Sequence, residues 1–263
     1  MNLADHISFA YDLAKDVYQG RDLKLLLLGS WFPDMYITGV MHHSETHTGG
    51  ERFLSYCEKN CPKYTPLAKG IILHQKADEL FHNGYLREKI DSVKKRVAFV
   101  DRPFFERYAH GIIELGGAFI EKDNLPFKIR EALKCRIGDL RCYLDFLDKN
   151  LKERAKVYAV VELGKLFYRF KVSSKEREKL DNLVINLSAF TLSSLTKKKV
   201  FKNGFNLPAL VAGSFYYFFG KEKNLETIER MKRLILQAKE ELEKDYFQYW
   251  DWVNTRLKTY LWR

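Results

Sequence analysis

The helical character of this chain is clearest in the stretch GIILHQKADELFHN, residues 70–83. It spaces His74, Asp78 and His82 four residues apart. An α-helix has 3.6 residues per turn, so each step of four rotates a side chain by only about 40°. The spacing therefore predicts a helix with these three polar side chains on one face, on consecutive turns.

A carboxylate between two imidazoles on one face favours a metal site. Zn²⁺ is bound by histidine nitrogen and by carboxylate oxygen, the two donors that this pattern supplies. The alternative is a pair of surface histidines near a solvated aspartate. The apolar residues around the three positions, Ile71 and Ile72 among them, indicate a substantially buried helix. Because unpaired ionisable groups are costly to bury, the metal site is the better interpretation.

Two further histidines follow the same logic in neighbouring helices. His110 and Glu114 repeat the one-face spacing of four residues, and His6 falls on the apolar stripe of the first predicted helix. Alone, a His-x-x-x-Glu pair is common on solvated helices, and a histidine in an apolar stripe is more often a satisfied core residue. Two helices with the same spacing in tandem favour ligands over chance.

The segment from Pro33 to Gly50 is rich in glycine, threonine and serine and is predicted to be a loop. Asp34 lies at its start, where a buried leucine run reaches the surface. His42, His43 and His47 cluster within it, and we expect at most one or two of them to be ligands.

Helical periodicity continues through nearly the whole chain, and no sustained strand alternation is present. Helices are expected to start at Thr65 and at Pro103. Long amphipathic helices should follow residue 127, and a final one should start at Asn224. The prediction is an all-α, multi-helix protein.

Charge divides the sequence into two predicted regions. Residues 1–125 contain 16 basic and 17 acidic side chains and all seven histidines, whereas residues 126–263 contain 29 basic and 17 acidic side chains. We therefore expect a metal-binding helical catalytic core over 1–125. A basic helical C-terminal region over 126–263 would pack on that core or form a subdomain.

The basic region supports a competing function, a helical protein that binds nucleic acid or an anionic membrane without catalysis. Its densest run contains four weak candidates for anion binding, Lys197, Lys198, Lys199 and Lys202. Lysines contact the phosphates of single-stranded nucleic acid and interleaved aromatic residues stack on its bases. Basic helices are, however, more often simply solvated. Loss of phosphodiester hydrolysis on Asp78→Ala would identify an enzyme, whereas a binder would retain salt-sensitive binding without any metal.

Cysteine usage and hydropathy add two expectations. Cys57 with Cys61, and Cys135 with Cys142, are predicted to be buried or incidental thiols, with a zinc site as the alternative. No apolar run approaches the roughly 18 residues of a membrane span, and no secretion signal opens the chain. A cytoplasmic protein without a transmembrane segment is expected.

The order of the candidate residues resembles the zinc-dependent phospholipase C family, which includes the single-strand-specific zinc nucleases. The likeness covers residues 3–123. It consists of His6, a Gly-Ser-x-x-Pro-Asp element, a histidine before Thr-Gly, His-x-x-x-Asp-x-x-x-His and His-x-x-x-Glu. A weaker likeness, to acyl-carrier-protein phosphodiesterases, rests on the opening MNLADH and on Gly70-x-x-x-His74-x-x-x-Asp78.

The family resemblance implies an all-α bundle with two or three zinc ions that cleaves phosphate esters. It implies three metal sites, formed by Asp34, His43, His74 and Asp78, by His82, His110 and Glu114 with Asp78 able to bridge, and by His6. Asp34 would also orient or deprotonate the attacking water, or serve simply as a ligand. The substrate (a phospholipid, a nucleic acid or a phosphopantetheine-type ester) stays open, and manganese or iron could replace zinc.

Overall fold

The computed structural model describes residues 3–34, 41–120, 125–173, 226 and 229–261. Regular structure in these ranges is helical and includes no β-strand, which confirms the all-α prediction. The helices are α1 (Leu3–Ala14), α2 (Gly20–Trp31), α3 (His43–His47), α4 (Gly50–Asn60), α5 (Thr65–Leu80), α6 (Leu86–Arg96), α7 (Arg102–Ala118), α8 (Leu125–Ala132), α9 (Arg141–Phe146), α10 (Leu151–Ser173), α11 (229–242) and α12 (Tyr246–Leu261).

Two units, which interleave along the sequence, make up the chain. Among the described residues, unit A comprises 3–34, 41–79, 125–173 and 250–261. Unit B comprises 80–120, 226 and 229–249. Each unit therefore combines residues from both sides of position 125, where the charge pattern places a boundary.

The core of unit A is built around the leucine run of α2. Leu25–Leu28 are fully buried, and burial of each such side chain stabilises the fold by about 1.5–3 kcal/mol. Next to this run, the backbones of α2 and α5 touch. A Cβ added to Gly29 would overlap the carbonyl oxygen of Leu67, and one added to Gly70 would overlap that of Leu26. Only glycine permits this approach of the two helices.

Several predicted boundaries in unit A change. The segment from Pro33 to Gly50, predicted to be a loop, contains the short helix α3. Where one or two long helices are expected over 127–171, the chain forms two short helices, α8 and α9, and one long helix, α10. Helix α5 begins at Thr65 as expected, directly after a 3-10 turn over Pro62–Tyr64.

Unit B packs α6 and α7 with α11, and ion pairs fix the contacts. Arg96 of α6 donates to Glu241 of α11 at 3.0 Å. Asp101, which precedes α7, accepts ion pairs from Arg230 at 2.9 Å and Arg233 at 3.1 Å. Helix α7 begins one residue before Pro103, close to the predicted start. The single helix expected from Asn224 is divided among the described residues into α11 and α12 by a turn at 243–245.

The cysteine prediction is wrong in part. Cys61 and Cys142 form a disulfide, whereas Cys57 and Cys135 are free and buried. The two bonded residues are 81 positions apart, so their spacing gives no signal in the sequence. The bridge joins α9 to the residue that directly follows α4.

Two other expectations concern the C-terminal region and the membrane. The four basic candidates Lys197, Lys198, Lys199 and Lys202 lie outside the described residues. Over the ranges that are described, no helix combines the length and the apolar character needed to cross a membrane.

Candidate metal centres

Unit A brings four predicted ligands together from three elements. Helix α1 contributes His6, the 3-10 turn after α2 contributes Asp34, and α5 contributes His74 and Asp78. One potential ligand atom from each residue lies within 4.8 Å of the other three. We call these four residues, together with His47 described next, the A cluster.

His47 of α3 is the fifth member. Its Nε2 lies 3.4 Å from an oxygen of the Asp78 carboxylate. The Nε2 atoms of His6 and His74 lie 3.2 and 3.5 Å from the same carboxylate. Distances from the three nitrogens to the Asp34 carboxylate are 3.8–3.9 Å. Ligand atoms about 2.1 Å from one ion lie between about 2.9 Å apart at right angles and about 4.2 Å apart when opposed. The spacing of His6, Asp34, His74 and Asp78 is therefore compatible with a single divalent ion, and His47 adds a further nitrogen beside His74 and Asp78.

Hydrogen bonds at the far side of two rings determine which nitrogen carries the proton. The Nδ1 of His74 lies 2.8 Å from the carbonyl oxygen of Ser30, which can only accept, so this nitrogen is the donor. The Nδ1 of His47 lies 2.8 Å from Thr46 Oγ1, and that hydroxyl donates its own proton to the carbonyl of His43. In the neutral form of either ring, the Nε2 is therefore the unprotonated nitrogen, the one available as a ligand.

Those two lone pairs face each other. The Nε2 atoms of His47 and His74 are 3.0 Å apart, and the Asp78 carboxylate lies against both. Electron pairs converging at this distance repel one another unless a proton or a metal ion lies between them. A metal-ligating histidine commonly donates its second N–H to a backbone carbonyl, as His74 does here. The donor set and its tautomers thus fit a metal ion.

Burial sets the charge states within the A cluster. Burial lowers the pKa of His74 well below its usual value, and the neighbouring His6 lowers it further. Burial also lowers the pKa of His6, against the attraction of Asp78. For Asp78, burial would raise the pKa, but the charge of His6 and the close contacts with His47 and His6 hold it well below the usual range. The cluster combines a neutral His74 with an ionised Asp78, the states that bind a metal.

The contact between α2 and α5 positions His74. Because Gly29 and Gly70 let the two backbones touch, the carbonyl of the next residue, Ser30, comes within reach of the His74 ring one turn further along α5. His6 of α1 then stacks on His74 with ring centroids 3.7 Å apart.

Helix α3 is anchored on two sides, and this fixes His47. Gln75 of α5 accepts from the backbone N–H of Gly50 and donates to the carbonyl of Thr46. The Tyr143 hydroxyl of α9 donates to the carbonyl of Glu45 at 2.6 Å, and Lys149, which lies after that helix, pairs with the Glu45 carboxylate at 2.5 Å. None of these supporting residues was a sequence candidate, because each acts on another residue rather than on the site.

Of the three histidines in this segment, the structure brings His47 to the acidic pair and not His43. His43 is exposed and its ring stacks on His47 with centroids 4.1 Å apart. His42 precedes α3 and is also exposed. The expected ligand His43 is therefore corrected to His47. One signal could have identified it, because His47 is the histidine that directly precedes Thr48-Gly49.

Unit B holds a second group, the B cluster, formed by His82, His110 and Glu114. The Nε2 atoms of His110 and His82 lie 3.1 and 3.6 Å from the same oxygen of Glu114. Burial would raise the pKa of Glu114, but hydrogen bonds from His110 and His82 help to keep it below its ordinary value. The ligand atoms of the three residues lie within 4.8 Å of one another, so the group could hold an ion.

The position of His82 depends on a change of helix type. Helix α5 ends at Leu80 and continues as a π-helical turn over Phe81–Tyr85, so the four-residue spacing predicted from His74 does not run unaltered to His82. π-turns within helices frequently mark functional sites. In unit B the turn places the His82 ring against that of His110, with centroids 4.9 Å apart.

Comparisons with known proteins give no relative. No family model matches the chain, and no curated protein or solved structure is significantly similar to it. The function must therefore be argued from the two clusters.

Proposed function

We propose that this protein is a metal-dependent hydrolase of phosphate esters, a phosphodiesterase that uses a metal-activated water and is similar to phospholipase C. The observation that carries the proposal is the A cluster, where three imidazole nitrogens lie within 3.5 Å of one half-buried carboxylate, that of Asp78. Zinc suits these nitrogen and oxygen donors, and other divalent ions are compatible with them.

A divalent ion bound by such residues lowers the pKa of water to near neutrality and neutralises the oxygens of a phosphoryl group. His6, His47, His74 and Asp78 would hold that ion. The B cluster would hold a further ion through His82, His110 and Glu114. With cations present, an anionic phosphate ester is the substrate class that the sites attract.

Asp34 is the candidate for orienting or deprotonating the water. Its carboxylate lies 3.8–3.9 Å from the histidine nitrogens, farther than the 3.2–3.5 Å of Asp78. The two carboxylates are about equally exposed, at 15% for Asp34 and 14% for Asp78, so the distance is what separates them. A carboxylate placed slightly outside the ligand set supports the role of a general base better than that of a tight ligand.

The experiment measures metal content and turnover on the same preparations. The purified full chain is analysed for metals and assayed with bis(p-nitrophenyl) phosphate, before and after chelation. We expect wild type to contain metal and to lose hydrolysis with the chelator. Asp78→Asn should lose metal from unit A and at least about 100-fold in turnover, since a ligand is removed. Asp34→Asn should retain metal while losing turnover.

A matched control is Asp16→Asn, which changes an exposed aspartate of unit A outside the cluster. It should leave metal content and turnover unchanged. A metal-free wild type without chelator-sensitive hydrolysis, combined with salt-sensitive binding to nucleic acid or anionic vesicles, would favour the binding protein instead.

A further inference from the structure

Three of the four cysteines meet at one place in unit A. Cys57 lies on α4, Cys61 directly follows that helix, and Cys142 lies on α9. Their sulfur atoms all lie within 4.8 Å of one another. Cys61 and Cys142 are joined as a disulfide, and Cys57 is a free, fully buried thiol beside the bridge. We call these three residues the sulfur cluster.

A structural bridge needs two sulfurs, so the third requires an explanation. Cys57 lies in the last turn of α4 and Cys61 directly follows that helix, and the sulfurs of both come close to that of Cys142. Cys135, the remaining cysteine, is also buried but does not belong to the group. The arrangement is therefore specific to three residues and does not reflect a general accumulation of cysteine in the core.

We propose that the sulfur cluster, once its bridge is reduced, is a binding site for a thiophilic d10 cation, with Cu⁺ as the ion that it fits best. Thiolate sulfur selects Cu⁺ and Zn²⁺ over harder ions. Sulfurs about 2.3 Å from one ion lie roughly 3.8 Å apart, within the span of the cluster. Among the described residues no imidazole or carboxylate joins the three sulfurs. Three-sulfur coordination satisfies Cu⁺, whereas zinc requires a fourth ligand.

The surroundings also favour a soft ion. Aromatic rings fill the contact between α4 and α9: Phe53 packs on Tyr143 with centroids 4.8 Å apart and on Phe146 at 5.2 Å. Such walls provide few oxygen donors and exclude water, which disfavours hard, strongly hydrated cations.

The chemistry balances in two steps. A dithiol reductant supplies two electrons and two protons to the Cys61–Cys142 bond, yields two thiols and is itself closed to a disulfide. Cu⁺ then binds to the sulfurs, and the displaced thiol protons pass to solvent. Oxidation of the pair would reverse the sequence and release the ion, because a disulfide leaves only Cys57 as a thiolate donor.

The test uses the full chain, reduced with a dithiol, freed of the reductant by gel filtration under nitrogen and titrated with Cu⁺ in competition with a chromophoric Cu⁺ chelator. We expect one Cu⁺ per chain with Cys57→Ser weakening its binding at least about 100-fold. Cys135→Ser, a buried free cysteine outside the cluster, is the matched control and should bind as wild type does. Equal affinity in Cys57→Ser and wild type would overturn the proposal, as would the absence of binding.

A second readout needs no variant and covers the case in which Cys57→Ser does not fold. Cys61 is the partly exposed member of the cluster, so its alkylation in the reduced wild type can be followed by mass spectrometry. Cu⁺ should slow this alkylation, and prior oxidation to the disulfide should block it altogether, with or without Cu⁺. Alkylation at the same rate with and without Cu⁺ would contradict the site and leave the cluster as a structural bridge beside an unrelated thiol.

Discussion

The two histidine–carboxylate clusters use the same chemical groups at very different depths. In the A cluster the side chains of His6 and His74 are 0% exposed, and no member exceeds 15%. In the B cluster the exposed fractions run from 27% for Glu114 to 54% for His110. The A cluster has five members from four elements, whereas the B cluster has three.

This difference shows how the surrounding structure determines what a ligand set can do. Deep burial depresses the pKa of His74, and buried polar atoms are costly unless they have partners, so the proposed ion would be held tightly in the A cluster. The B cluster remains in contact with water, which can complete the coordination of an ion and exchange it. We therefore expect tight, slowly exchanging metal in unit A and weaker, faster exchanging metal in unit B.

The largest effect should come from the glycine contact that supports the A cluster. Gly70→Ala inserts a Cβ into the carbonyl oxygen of Leu26, so α2 and α5 must separate. We expect a loss of about 3 kcal/mol in the free energy of unfolding, the upper end of overpacking costs, together with loss of metal from unit A. Urea unfolding and metal analysis measure both.

Gly84→Ala in unit B is the matched control for that substitution. A Cβ at Gly84 would meet nothing within 4 Å, so the same chemical change should alter stability by no more than about 1 kcal/mol. Similar losses for the two variants would mean that the close approach of α2 and α5 does not matter.

The next largest effect should come from the removal of one histidine, which should change metal affinity in only one of the two clusters. His47→Ala should weaken metal binding in unit A by about 10–100-fold and leave metal binding in unit B unchanged. Of the residues of α3, only His47 reaches the carboxylates of Asp34 and Asp78. His43→Ala, which removes an exposed ring one turn away, should leave metal affinity as in wild type. Calorimetric titration of the metal-free variants distinguishes them. A greater loss of metal affinity for His43→Ala would mean that His43, and not His47, is the ligand.

Chelation should reveal the difference in depth directly. When a chelator is added to the metal-loaded chain, we expect two phases, a fast one from the B cluster and a slow one from the A cluster. Glu114→Gln should abolish the fast phase alone. Stopped-flow detection with a metallochromic dye follows both phases, and a single phase that Glu114→Gln does not change would remove the distinction between the clusters.

The smallest effect concerns the support of α3. Tyr143→Phe deletes the hydroxyl that donates to the carbonyl of Glu45, a loss of about 1 kcal/mol. Because α3 carries His47, metal affinity in unit A should fall by a few-fold, with unit B unaffected. Tyr56→Phe is the matched control, because the Tyr56 ring, like that of Tyr143, packs on Phe146. This variant should retain the metal affinity of wild type. Equal affinities for both variants would show that α3 does not depend on this hydrogen bond.

Local sequence patterns predicted the helices and most of the ligands, for identifiable reasons. The four-residue spacings of His74 with Asp78 and of His110 with Glu114 are properties of a single helix, and the structure retains both on α5 and α7. Every expected ligand except His43 lies in one of the two clusters.

The features that could not be predicted depend on contacts between distant elements. His43 and His47 occupy successive turns of α3, and only the packing of that helix on α5 distinguishes them. The bridge between Cys61 and Cys142 spans 81 residues and also requires α4 and α9 to pack together. The π-turn at Phe81–Tyr85 has no pattern in the local sequence that we can identify.

We propose that the A cluster holds a metal ion, and a crystal structure of the zinc-loaded protein with anomalous diffraction at the zinc edge tests this directly. We expect an anomalous peak about 2.1 Å from the Nε2 atoms of His47 and His74 and bonded to a carboxylate oxygen of Asp78. A zinc-loaded crystal without a peak at these atoms, or with the peak bonded to His43 instead, would contradict it.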